Sequence, residues 1–83
     1  MHEAGLMQTA LEMACEEARL AGAIRVQRLV LSIGAGSGVE PDALRFAFDA
    51  LSVGSLADGA TLEFEDAADG DALELTRLEV VVP

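Results

Sequence analysis

Cysteine is nearly missing from this sequence: the single Cys15 cannot form an internal disulfide, which fits a chain kept in a reducing cytosol. Lysine is absent, and the five basic residues, all arginines, stand against fifteen acidic ones for a net charge of −10. That balance argues against nucleic acid, whose binding needs basic groups to displace counterions. It suits cations, basic partner surfaces and plain solubility. Aromatic residues make up only 4% of a chain that is 52% apolar, so Leu, Val and Ala must fill the core. No apolar run approaches the roughly 20 residues of a membrane span. The first residues show neither the basic nor the apolar region of a signal peptide. The only histidine, His2, is terminal and has no fixed nucleophile beside it, so no Ser/His/Asp or Cys/His catalytic set can form and an enzyme is not expected.

What is present reads as one small domain, 1–83, near the lower size limit for a core without staples. From Glu3 to Ala21, the residues Leu6, Met7, Ala10, Leu11, Ala14, Ala18 and Ala21 recur at three- and four-residue spacing, which predicts an amphipathic helix. Glu12 and Glu16 repel mildly off that stripe, and Arg19 offsets them. Glu3 suits the first turn of a helix, and Gly22 suits its left-handed stop. Ile24 to Ile33 predicts a strand, with Leu29, Leu31 and Ile33 alternating with Arg28, Val30 and Ser32. A glycine-rich turn over 34–38 leads to Pro41 at the first position of a second helix that runs to Leu51. Leu44, Ala47, Phe48 and Leu51 share one face of it, with Phe46 on the flank.

Gly54 closes this helix, and Ala57-Asp58-Gly59 turns into a strand over Ala60 to Glu65, with Leu62 and Phe64 inward. The acidic stretch 66–71 reads as a hairpin loop. In the last strand Leu73 and Leu75 share one parity, while Leu78, Val80 and Val82 take the other. A bulge near Thr76-Arg77 would turn both sets to the core. The order is α-β-α-β-β, and the fold class is α+β: two helices packed on one face of a three-stranded sheet.

Chemistry concentrates at the front of the first helix. Met1, His2 and Glu3 place an α-amino group, two backbone amides and an imidazole within a few bonds of one another. Four such nitrogens can wrap Ni²⁺ or Cu²⁺ in a square plane, and they hold Cu²⁺ more tightly. Amides used in this way must lie outside regular helical hydrogen bonding, as those at a helix start do.

The other constellations carry less. The glycines after the first strand lack dinucleotide-loop spacing, and no lysine follows to hold a phosphate. Cys15 lies roughly 20 Å along the helix from His2, at ~1.5 Å per residue, and reads as a partly packed thiol. The acids of 66–71 lack the twelve-residue spacing of a calcium loop.

Met1-His2-Glu3, Leu6 and Gln8, Leu31-Ser32-Ile33-Gly34, Ser37-Gly38-Val39-Glu40-Pro41 and Asp42-Ala43-Leu44-Arg45-Phe46-Ala47-Phe48 together resemble the HypA/HybF hydrogenase nickel-insertion proteins. Leu56-Ala57-Asp58-Gly59-Ala60, Leu62-Glu63-Phe64-Glu65 and the stretch from Leu73 to Val80 continue the likeness over essentially the whole chain. The resemblance implies a cytoplasmic metallochaperone that binds Ni(II) and hands it to the large subunit of a [NiFe]-hydrogenase, or in some bacteria feeds urease. A HypB-type GTPase is its usual partner. It implies that Met1, His2 and Glu3 hold the metal, with the Glu3 side chain also influencing the site. One departure is large. The family inserts a zinc domain with two Cys-x-x-Cys pairs where this chain has only the short loop 66–71, so no structural zinc is expected. The oligomer expected is a monomer or weak homodimer. A different reading of the same resemblance is a zinc-less paralogue acting as a protein-interaction module, its nickel binding vestigial.

Overall fold

The computed structural model describes residues 2–68 and 73–83. Five elements follow in the expected order: α1 (His2–Leu20), β1 (Arg25–Gly34), α2 (Pro41–Leu51), β2 (Thr61–Ala67) and β3 (Leu73–Val81). The apolar stripe of α1 explains its packing. Met7, Ala10, Leu11, Ala14 and Ala18 are buried, Leu6 is half-buried, and Ala21 lies exposed beyond the last turn. Alanines at Ala10, Ala14 and Ala18 let α1 lie close to its neighbours. Its C-terminus stops at Gly22, whose φ of 72° only glycine adopts cheaply. There the Gly22 N–H donates to the Arg19 carbonyl at 3.0 Å and the Ala23 N–H to the Ala18 carbonyl at 2.9 Å, the paired bonds of a Schellman motif.

The strands lie in the order β2-β1-β3. β1 pairs in parallel with β2 and antiparallel with β3. β1-α2-β2 is therefore a crossover unit, because parallel neighbours need a connection long enough to return to the starting end. This corrects the hairpin reading of 66–71. β2 and β3 are not neighbours, because β1 lies between them. Residues 69–72, between Ala68 and Leu73, fall outside the described residues.

The bulge expected near Thr76-Arg77 is present. Val30 faces Arg77 and Leu31 faces Leu75, which leaves Thr76 as the extra residue. Leu73, Leu75, Leu78 and Val80 all consequently pack against the core. Val82 lies beyond the strand and is exposed. A second bulge, which the sequence reading lacked, falls at Gln27, where Val26 faces Val80 and Arg28 faces Glu79.

The core sits between the helices and one face of β1, where Met7, Leu29, Leu31 and Leu44 are fully buried. Each such side chain contributes on the order of 1.5–3 kcal/mol by leaving water. Leu44, Ala47 and Phe48 bury as expected, but Leu51, the last residue of α2, stays 42% exposed. The far face of β1 is drier than its alternation implied, and Val30 and Ser32 are both buried. Being central, β1 is flanked on both sides, and the long polar side chains of Glu63, Glu65 and Arg77 surround Val30. On that face Arg28 ties the three strands together, lying 3.2 Å from Glu63 and 3.6 Å from Glu79.

Candidate functional site

The front of α1 is built differently from the rest of the helix. His2 opens the helix, so its amide and that of Glu3 belong to the first turn, whose N–H groups have no intrahelical acceptor. The imidazole is largely in solvent, with 63% of the side chain exposed. Its Nδ1 lies 3.6 Å from Glu3 Oε1. Met1 falls outside the described residues, so its amine has no described position.

Glu3 is the anchor of this corner. Only 16% of its side chain is exposed, and its Oε2 accepts a hydrogen bond from the Glu40 N–H at 3.2 Å. Glu40 is the N-cap of α2 and receives no cap from its own side chain, while Pro41 at the next position has no N–H to offer. A carboxylate from α1 thus stands at the positive end of the α2 dipole. Its own backbone N–H, and then that of Glu40, hold the Glu3 carboxyl below its ordinary value of 4.5; partial burial pushes it up, and His2 adds a smaller downward pull.

Among the described residues, no three His, Cys, Asp or Glu side chains come together as a metal cluster. Cys15 is half-buried beside Leu11, Glu12 and Leu51, away from this corner.

Sequence reasoning missed two neighbours of the site. One is the Glu40 N–H, whose contact with Glu3 spans 37 positions and leaves no local signal. The other is an apolar groove beside Glu3, lined by Ala4, Ala43, Phe46, Ala47 and Leu51. Its signal was the flanking Phe46, which is 78% exposed.

Residues 1–80 match the family described as "HypA: Hydrogenase/urease nickel incorporation, metallochaperone, hypA". The chain belongs to the HypA family. Among curated HypA proteins, the hydrogenase maturation factor HypA of Rhizobium leguminosarum bv. viciae is 49% identical over 63 residues, covering 76% of this chain and 56% of the relative. That of Chlorobium limicola is 41% identical over 68 residues, covering 82% and 59%. The chain spans a little over half the length of these relatives. The solution structure of the Ni metallochaperone HypA from Helicobacter pylori superposes with a TM-score of 0.86 over 98% of both chains. At 16% identity that likeness shows the fold alone, two helices over a three-stranded mixed sheet. The HypA resemblance carried by the sequence motifs thus holds, and the family is one of nickel-incorporation metallochaperones.

Proposed function

We propose that this chain is a nickel carrier that holds Ni²⁺ as cargo through the Met1 amine, the His2 amide and imidazole, and the Glu3 amide. The observation that carries the reading is the exposed His2 imidazole on the first turn of α1, in a chain of the HypA family. Four nitrogens from three adjacent residues suit a square plane. Binding removes protons from the amine, the imidazole and the amides, so acidification releases the ion. Coordination by the Glu3 amide breaks its bond to its own carboxylate, which leaves that carboxylate to the Glu40 N–H and His2.

In the same proposal, residues 1–83 work as a single nickel-binding domain with the short segment 66–71 where the family has its zinc module, and without structural zinc. The protein is a cytoplasmic accessory factor and not an enzyme, serving [NiFe]-hydrogenase maturation with a HypB-type GTPase and the hydrogenase large subunit as partners. No helix among the described residues is long and apolar enough to cross a membrane.

Titration of the untagged protein with Ni²⁺, followed by the visible absorption of square-planar nickel, tests the carrier reading. One equivalent is expected to bind, and His2→Ala is expected to abolish the band. An unchanged titration in His2→Ala would end this assignment. The exposed Phe46, Leu51 and Val53 favour a second reading, a protein-interaction module with vestigial nickel binding. In that case Phe46→Ala would impair partner pull-down while His2→Ala would not.

A further inference from the structure

α1 and α2 leave a furrow between them on the solvent side. Both helices start at the Glu3–Glu40 contact and run in the same sense: Ala4 shares one hollow with Ala43 and Ala47, and Cys15 shares another with Leu51 and Ser55. The hollows measure about 320 and 360 Å³ and join at Leu51. From Ala4 to Cys15, at ~1.5 Å per residue, the furrow runs roughly 16 Å. Its front is floored by alanines, which let another backbone come close. Phe46, the most exposed of the three phenylalanines, stands on its rim.

Charge gives this surface a preference. Asp42 and Asp49 lie one turn before and one turn after Phe46 on the same margin of α2. Both are exposed, and neither has an ion-pair partner among the described residues. Glu12 lines the furrow from α1. No arginine lines either hollow. Arg45, the one base of α2, is turned to β2, where it donates to the Leu62 carbonyl at 3.0 Å and lies 5.2 Å above the Phe64 ring.

Both walls are helices whose backbone groups bond internally, so an extended strand would find no edge to pair with. A helix arrives with its own backbone satisfied and can seat a ridge of side chains in such a groove. We propose that the α1–α2 furrow docks an amphipathic helix of a partner protein, its apolar side chains seated in the two hollows and against Phe46, its lysines or arginines set against Asp42, Asp49 and Glu12. This docking rests on Phe46 as a partner-binding residue and is independent of nickel. The net charge of −10 favours a basic partner and repels an anionic membrane.

Binding of a fluorescent designed helix to the full chain, with no metal present, tests the docking. The probe is an amphipathic peptide of about 18 residues, long enough to be helical, with leucines at i, i+4, i+7 and i+11 and lysines beside them. It is expected to bind at micromolar concentration, and the same peptide with glutamates for lysines is expected not to. Phe46→Gln keeps the net charge, and so any general attraction, yet is expected to weaken binding roughly tenfold. Asp42→Lys/Asp49→Lys is expected to weaken the lysine peptide and admit the glutamate one. All three positions are exposed, and far-UV circular dichroism confirms the fold of each variant. Equal binding of the two peptides, or binding indifferent to Phe46→Gln, would overturn the proposal. A lysine peptide that fails to bind, while Phe46→Ala still impairs partner pull-down, would overturn the basic helix and leave Phe46 to a different ligand. Failure of both would remove the surface as well.

Discussion

The two ends of α1 are opposites. At the C-terminal end, Gly22 turns the chain back, two backbone bonds close the last carbonyls, and Ala18 is fully buried. At the N-terminal end, the imidazole stands in solvent and the contact with the rest of the fold runs through Glu3 to the Glu40 N–H. The difference separates a structural task from the chemical one proposed for His2 and Glu3. An end that anchors a fold satisfies every backbone group within itself. An end proposed to give up amide protons to a metal keeps those groups out of the helical ladder.

Breaking the interior should divide the two tasks most sharply. Leu29→Ala, in the centre of β1, is expected to cost about 2–5 kcal/mol, a large share of a small domain's stability. Nickel binding should nevertheless persist, even in the urea-unfolded chain, because every proposed donor lies within three consecutive residues. Parallel urea melts and nickel absorption titrations check both halves. Loss of nickel with the fold would show that the tertiary structure completes the site.

The reverse experiment attacks the other end. Extending the chain by residues in front of Met1 is expected to remove square-planar nickel absorption while shifting the melting temperature by no more than about 2–4 °C, within the usual ~0.5 kcal/mol of surface changes. At the closed end, Gly22→Ala meets no atom that its Cβ would strike, so its cost is the left-handed backbone alone. That is about 1 kcal/mol, or roughly 4–8 °C in a domain of this size. Nickel affinity should not change.

The smallest expected effect sharpens the comparison by pH. The Glu3 carboxyl is held below its ordinary value of 4.5 in the fold. Its stabilisation is therefore complete above that value and is lost as pH falls through the lower folded value. Glu3→Gln should be less stable than the wild type near neutrality and converge with it in acid. Melting curves across that range would refute the tether if the two proteins tracked each other throughout.

The parts of the fold legible in the sequence were those with a local cause. The shift from Leu73 and Leu75 to Leu78 and Val80 announced the Thr76 bulge, because a period-2 strand cannot bury both parities without an extra residue. Gln27 carries a similar clue in the odd spacing of Val26 and Leu29. The hairpin reading of 66–71 failed because a short acidic turn looks the same whether its strands pair or a third lies between them. At the candidate site, His2 and Glu3 stand out as candidate donors because they adjoin Met1. The partner of Glu3 does not.

Five elements, their inward faces, the αL stop of α1 and the donor-rich front of the chain were determined by residues within a few positions of one another, where dihedral preference and side-chain spacing act. The placing of β1 between β2 and β3, the burial of Val30 and Ser32, and the seating of Glu3 against the start of α2 were decided only in three dimensions. Each depends on groups brought together from far along the chain, and no local preference encodes which strand edge or which amide a side chain will meet.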